Sequence, residues 1–139
     1  MIAIEGRLKR SLGITRAELK QAAEFFAEKS GKRVGETFRE VTVILQNDEE
    51  SAEVHEGIMQ TEGPTDVITQ RYDPMPGEEQ GVYGEIYVNA DRALELGGRK
   101  ELLLYVAHGM DHLSGADDHG EKNYRTMRRR ELRWLSAIR

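Results

Sequence analysis

The chain contains no cysteine among its 139 residues, and it has only three prolines and one tryptophan. The absence of cysteine excludes disulfides, thiolate metal sites and thiol catalysis, and it fits a reducing compartment. The longest apolar stretch, from Leu102 to Ala107, is far shorter than a membrane span. The first residues lack the basic start and apolar run of a signal peptide. We therefore expect a soluble, cytoplasmic protein that does not engage a membrane.

The charge is low overall and unevenly distributed. A net charge of −5 argues against a general nucleic-acid binder. Residues 121–139, however, hold seven Lys and Arg side chains against two Glu, so this segment carries +5 and the rest of the chain −10. Arg125, Arg129 and Arg133 are spaced four residues apart and would share one side of a helix. These three arginines, here called the basic face, are a candidate phosphate-binding surface, although a solvated helix face is commoner.

The pattern of apolar and helix-breaking residues predicts one α/β (α+β) domain over residues 1–139, with about four strands and five helices. Gly31 is expected to end the first long helix, which begins after Thr15. The segment from Arg99 to Leu113 is apolar almost all round and predicts a helix in the middle of the domain. Trp134 is expected to pack in the core. The predicted strands cover residues 1–4, 40–46, 67–72 and 82–88, and the predicted helices cover 16–30, 47–56, 89–96, 99–113 and 121–137.

Three of the four histidines fall within the twelve residues 108–119. His108 and His112 are four apart on the predicted buried helix, so both imidazoles project from one side and can offer two nitrogens to one zinc ion. Gly115 can turn the chain back, and either Asp118 or His119 can then supply a third ligand while a fourth position stays open for water. Unpaired imidazoles are costly on an apolar helix, which makes this pattern stronger than an isolated histidine pair.

Residues 108–118, His-Gly-Met-Asp-His-Leu-Ser-Gly-Ala-Asp-Asp, resemble the signature H-G-x-x-H-L-x-G-x-x-[H/D] of the YbeY-type bacterial rRNA maturation endoribonucleases. Residues 63–69, Gly-Pro-Thr-Asp-Val-Ile-Thr, resemble the P-T-D-V-L-S strand of that family, and residues 83–88 resemble its L-G-D-I-x-I strand. Residues 43–50 are similar to the strand and acidic helix start that precede them. The resemblance covers about residues 40–130 in the family's order, and the histidine motif is its specific part.

The resemblance implies a mixed four-stranded sheet beside a central metal-bearing helix. It also implies a zinc-dependent, single-strand-specific endoribonuclease in small-subunit rRNA 3′-end maturation and ribosome quality control. By position it assigns one zinc per chain to His108 and His112, which would act in catalysis through metal-bound water. The implied partners are rRNA or the small ribosomal subunit, with a ribosomal protein or a GTPase as further candidates. Under this interpretation the basic face binds RNA.

This chain departs from the family pattern at the third ligand. Most members have histidine three residues after the glycine, where this chain has Asp118, and His119 comes one residue later. Asp118 is favoured because the alignment then continues to Met127 without a gap, and a carboxylate oxygen is an acceptable zinc ligand. His119 remains the alternative because imidazole is the commoner choice.

Two further departures concern activity. Met59 stands where the family usually has an arginine that could hold a phosphate, and Arg71 is a candidate substitute. Asp111 stands at a usually apolar position of the helix motif. We consider it first a solvent-facing acid, then a partner for an imidazole N–H, and then a proton carrier, the last of which would make it catalytic.

The motif also leaves two other functions open. Gly109 takes the place of the glutamate that H-E-x-x-H zinc proteases use as a general base, which weakens a peptidase interpretation. A zinc hydrolase of a peptide or amide is nevertheless one alternative, and the missing arginine favours it slightly. The other alternative is a non-catalytic ribosome-assembly factor.

Overall fold

The computed structural model describes residues 1–58, 67–116 and 119–138, with residues 55–58 described by their backbone only. These residues form four strands and five α-helices. A short 3₁₀ turn at Arg10–Leu12 precedes the first helix. The predicted strand and helix numbers are confirmed. The strands are β1 (Ile2–Gly6), β2 (Phe38–Gln46), β3 (Val67–Tyr72) and β4 (Val82–Asn89), and the helices are α1 (Arg16–Val34), α2 (Asp48–Ile58), α3 (Ala90–Leu96), α4 (Arg99–Leu113) and α5 (Glu121–Ser136).

The four strands form one mixed sheet in the order β1-β2-β4-β3. β1, β2 and β4 are parallel, whereas β3 runs antiparallel to β4. Alternate residues of β4 are buried, because successive side chains of a strand point to opposite sides of a sheet. The buried side of β4, formed by Val82, Gly84, Ile86 and Val88, meets the helices. The mixed four-stranded sheet that the family resemblance implies is therefore confirmed.

Helix α4 lies at the centre of the fold, as its apolar composition predicts. It packs against α1, α3, α5, β3 and β4, and most of its side chains are buried. The helix comes very close to the sheet at Gly109: a Cβ built on this residue would lie 2.5 Å from Ile86 Cγ2. The sheet has its own small residue at Gly84, where a Cβ would lie 2.9 Å from Leu113 Cδ2. Two glycines thus set how closely the motif helix approaches β4.

The prediction that Gly31 ends α1 is wrong. The helix continues to Val34 and ends at Gly35, whose φ of 73° is the left-handed value of a helix end. Gly31 has a packing role instead, because a Cβ there would lie 2.4 Å from the Glu36 carbonyl oxygen. A glycine inside a helix costs only about 1 kcal/mol relative to alanine, and this close approach accounts for its presence.

Helix α5 closes the core through its buried stripe. Trp134 is buried and stacks on Phe26 of α1, with ring centroids 6.4 Å apart, so its prediction as a core residue is confirmed. Across the described ranges, no helix is long and apolar enough to cross a membrane. Met59, the P-T-D-like residues 64–66 and Asp118 lie outside the described residues.

Candidate active site

Helix α4 places His108 and His112 on one side, one turn apart, as their spacing predicts. Their Nε2 atoms lie 3.0 Å from each other, and the two rings are nearly perpendicular, at 87°. Two nitrogen ligands of one tetrahedral zinc, each about 2.0–2.1 Å from it, are roughly 3.3 Å apart. The spacing of the two nitrogens is therefore close to the spacing that a shared metal ion requires.

A carboxylate from α5 supports the first histidine. Glu131 is fully buried, and its Oε2 lies 2.9 Å from His108 Nδ1. An ionised carboxylate can only accept a hydrogen bond, so Nδ1–H donates to Glu131 and Nε2 keeps its lone pair. Metal-binding histidines are typically oriented in this way by a carboxylate on the other ring nitrogen. The donor set thus fits a divalent metal such as zinc.

The environment of Glu131 shifts its acidity. Burial raises the pKa of the Glu131 carboxyl above its usual value, and the nearby Asp111 carboxylate acts in the same direction. The hydrogen bond from His108 opposes this rise by favouring the ionised form. The hydrogen bond with His108 therefore offsets part of the free-energy cost of burying the ionised Glu131 carboxylate.

Asp111 is fully buried, so its first interpretation as a solvent-facing acid is wrong. The helix side that carries it packs against α5, where Arg130 Nε and Nη2 lie 2.9–3.2 Å from both carboxylate oxygens. At His108 Nδ1 the partner is Glu131, and a contact of Asp111 with an imidazole N–H stays a prediction. A role for Asp111 in carrying protons stays a prediction.

Two more arginines bind the carboxyl-terminal end of α4, next to His112. Arg33 of α1 donates to Ser114 Oγ at 2.9 Å, and its Nη2 lies 3.5 Å from Asp111 Oδ1. Arg71 of β3 donates to the Leu113 carbonyl oxygen at 2.9 Å, and its guanidinium is paired with Glu36. Cations are favourable at this end of a helix because its last carbonyl groups carry partial negative charge. Arg71, the candidate substitute for the missing arginine, thus lies beside the motif helix.

The structure leaves the third ligand as a prediction. Gly115 has a φ of 97°, as the expected turn after the helix requires. Asp118 lies outside the described residues, whereas His119 lies within them. In the described part of the chain, no group of three or more His, Asp or Glu residues is arranged to hold a metal ion. The choice between the two candidates therefore rests on the motif alignment.

The basic face lies exposed on α5, as its spacing predicts. Arg125, its first member, forms an ion pair with Glu121 one turn earlier on the same helix. Arg130 belongs to the same positively charged segment but points inward to Asp111, with its side chain only 17% exposed. RNA binding by the basic face stays a prediction, since exposure alone does not identify a ligand.

Glu131 and Arg130 are the site residues that the sequence analysis missed. A signal for Glu131 is nevertheless present, because Met127, Glu131 and Trp134 follow one another at helical spacing and all three are buried. A glutamate in the apolar stripe of a helix needs a partner, and a histidine on a buried helix needs one too. Matching the buried glutamate with the buried histidine would have predicted the contact between Glu131 and His108.

Two neighbouring imidazoles with a buried carboxylate behind one of them are donors that fit a hydrolase of the metal-using kind. The room around them argues against the protease type, since a glutamate at position 109 would have to occupy the space of Ile86. The comparison with known proteins agrees with this class. The model of the family described as Endoribonuclease YbeY matches residues 7–139, and the chain belongs to this family.

Individual relatives support the assignment. The chain is 34% identical over 114 residues to the endoribonuclease YbeY of Thermotoga maritima, covering 77% of this chain and 71% of the relative. It is 33% identical over 135 residues to that of Rhodopirellula baltica, covering 91% of this chain and 66% of the relative. A solution structure of a Thermotoga maritima protein superposes with a TM-score of 0.62 at 30% identity, covering 99% of this chain and 89% of that one. The predicted family, fold class and endoribonuclease class are thereby confirmed.

Proposed function

We propose that this protein is a zinc-dependent endoribonuclease that cleaves single-stranded RNA, with the 3′ end of small-subunit rRNA as its substrate and ribosome quality control as its wider role. The observation that carries the proposal is the histidine pair of α4, whose Nε2 atoms converge to 3.0 Å while Glu131 accepts from the other nitrogen of His108. Membership of the endoribonuclease YbeY family supplies the reaction class.

His108 and His112 would hold the metal through Nε2, and Asp118 would complete the set, with His119 as the alternative. When bound, zinc supplies Lewis-acid chemistry, lowering the pKa of water toward 7 and polarising a phosphoryl oxygen. Glu131 holds the proton of His108 on Nδ1 and so keeps Nε2 available. The packed residues around α4 exclude water from behind the pair, because the helix is buried on its other sides.

The basic face and Arg71 are the proposed contacts to RNA. The basic face presents three guanidinium groups along one side of α5, and each can neutralise a backbone phosphate. The guanidinium of Arg71 lies at the end of α4, where it would compensate in part for Met59. We further propose the small ribosomal subunit as the partner, with a ribosomal protein or a GTPase as additional contacts, and hence a cytoplasmic location.

The experiment combines metal analysis with an RNA cleavage assay on one preparation. We expect about one zinc per chain in the wild type and none in His112→Ala, which removes half of the imidazole pair. Cleavage of a single-stranded rRNA 3′-end substrate is expected to be lost together with the metal. The matched control is His55→Ala, a histidine on a different helix, which should keep both.

The outcomes separate the candidate functions. Zinc retained in full by His112→Ala, or RNA cleavage by the metal-free variant, would contradict the proposal. A wild-type protein that binds zinc but cleaves no RNA would point to the hydrolysis of another substrate, such as a peptide or amide. A wild-type protein that binds no zinc and cleaves no RNA would point to a non-catalytic assembly factor.

A further inference from the structure

Two polar contacts lie side by side where α5 packs on α4. His108 and Asp111 are three residues apart on α4, and their partners Glu131 and Arg130 are consecutive on α5. The first contact supports a candidate metal ligand, whereas the second joins two residues that are not candidate ligands in the proposed set. We propose that the Asp111–Arg130 ion pair is a positioning device, which fixes α5 in the register that places Glu131 on His108 Nδ1.

Glu131 is poorly suited to set this register alone. Its Oε2 makes the 2.9 Å contact with His108, while its buried Oε1 has no hydrogen-bond partner among the described residues. A single hydrogen bond to one oxygen does not fix how the Glu131 carboxylate is rotated, and a buried carboxylate with one unsatisfied oxygen is unfavourable. A second, more directional contact is therefore needed to hold Glu131 in place.

The Asp111–Arg130 ion pair has the required directionality. Both Nε and Nη2 of Arg130 lie within 2.9–3.2 Å of the two Asp111 oxygens, so the planar guanidinium faces the carboxylate along one edge. All four nitrogen–oxygen distances are nearly equal, so the two guanidinium nitrogens share both carboxylate oxygens, and this pairing resists sliding and rotation of α5 more than a single hydrogen bond does. Asp111 is itself anchored from α1, because Arg33 lies 3.5 Å from Oδ1 and donates to Ser114 Oγ, which in turn donates to the Asp111 carbonyl oxygen. The carboxylate thus offers α5 a fixed point.

The energetics favour a role in register over a role in stability. Moving both charged groups out of water costs about as much as their attraction returns, so an apolar pair of similar volume often stabilises a protein equally well. Specification of register is the best attested use of buried polar pairs. Because Arg130 directly precedes Glu131, a register fixed at Arg130 also fixes the carboxylate that touches His108.

The test, which rests on the proposed metal site, uses a double variant, Asp111→Leu with Arg130→Leu, since removal of one partner alone would strand a buried charge. Zinc affinity is measured by competition with a chelator, and folding is followed by thermal unfolding. The His108 tautomer is read from imidazole ¹⁵N signals of the metal-free protein. The control, Glu28→Gln with Lys32→Gln, removes an exposed ion pair of α1 and should leave all three readouts unchanged.

We expect the double variant to fold as the wild type does but to bind zinc about 10–100-fold more weakly, the usual loss when support for a metal-binding histidine is removed. Its His108 signals should shift from one tautomer to a mixture. Glu131→Leu should cause a similar loss, whereas Glu131→Gln should stay within about tenfold of the wild type because the amide oxygen still accepts from Nδ1–H. Adding Glu131→Leu to the double variant should cause no further loss, since both changes act through one contact.

Wild-type zinc affinity and an unchanged His108 tautomer in the double variant would overturn the proposal. Losses that multiply when Glu131→Leu is added would also overturn it, because they would show independent effects. If the wild type binds no zinc, the proposed metal site fails, and the tautomer of His108 in the metal-free protein still decides whether the ion pair positions Glu131.

Discussion

Because α4 lies so close to β4, we expect the effect of a methyl group at position 109 on the free energy of unfolding to depend on the size of the side chain at position 86. A Cβ on Gly109 would lie 2.5 Å from Ile86 Cγ2 and 3.0 Å from Ile86 Cδ1. Cγ2 is attached at the branched carbon of a strand residue and cannot swing away, so the helix or the strand has to move. Overpacking of this kind costs about 1–3 kcal/mol, whereas exchanging glycine for alanine in a helix returns about 1 kcal/mol. We expect Gly109→Ala to destabilise the protein by up to about 2 kcal/mol.

The same substitution should be favourable once Ile86 is truncated. Ile86→Ala alone creates a cavity under α4 and costs about 2–5 kcal/mol. In that background the new methyl group enters empty space, so Gly109→Ala should stabilise the protein by about 1 kcal/mol through helix propensity and cavity filling. The coupling between the two positions should thus be about 1–3 kcal/mol, within the range for residues in contact.

Urea unfolding of the four proteins of this cycle measures the coupling. Equal m-values across the set would show that the free energies are comparable. The reasoning would be refuted if Gly109→Ala changed stability by the same amount and in the same direction in both backgrounds. We also expect Gly109→Ala to weaken zinc binding, because a displaced α4 carries His108 away from Glu131 on α5.

Three further predictions concern the ligand, the RNA surface and the sheet. Asp118→Ala should lose far more zinc affinity than His119→Ala in a chelator titration, and the reverse order would assign the third ligand to His119. Changing all three arginines of the basic face to Gln should weaken RNA binding and flatten its salt dependence by about 0.7 per lost phosphate contact, with zinc content unchanged; an unchanged slope would contradict it. The hydroxyl groups of Tyr72 and Tyr87 donate to Glu85. This hydrogen bond, more than burial, raises the pKa of Tyr72 to about 12, whereas burial, more than the hydrogen bond, raises the pKa of Tyr87 to about 12. Their contribution to stability is therefore complete below about pH 10 and is lost as the pH rises through about 12, and Glu85→Gln should lower the Tyr72 titration midpoint in an ultraviolet titration.

The sequence predicted those features that depend on short stretches of chain. The spacing of His108 and His112 is local, and an α-helix alone places them on one side. The alternation along β4 and the apolar composition of α4 likewise report burial directly. Thr15 and Glu18 form the capping box that their spacing predicts, and α1 begins directly after it.

The features that were missed depend on contacts between distant segments. Glu131 is 23 residues from His108, and Arg33 is 81 residues from Ser114. Asp111 looked like a surface residue because aspartate is rarely buried without a partner, and its partner is on another helix. Gly31 is the local exception: the Glu36 carbonyl group that explains it lies five residues later, where the chain turns after α1.

The position of α4 between the other elements has a consequence for how the protein opens. A helix in contact with β3, β4, α1, α3 and α5 can lose its amide protection only when most of the molecule unfolds. Helix α5 packs chiefly on α4 and carries a largely polar outer surface, so it can detach while the centre stays intact. Such a partly open state would keep both imidazoles on a formed helix while Glu131 has left His108. In native-state hydrogen exchange, the amides of α4, which carries the two histidines, should then exchange with a higher opening free energy than the amides of α5, which carries Glu131.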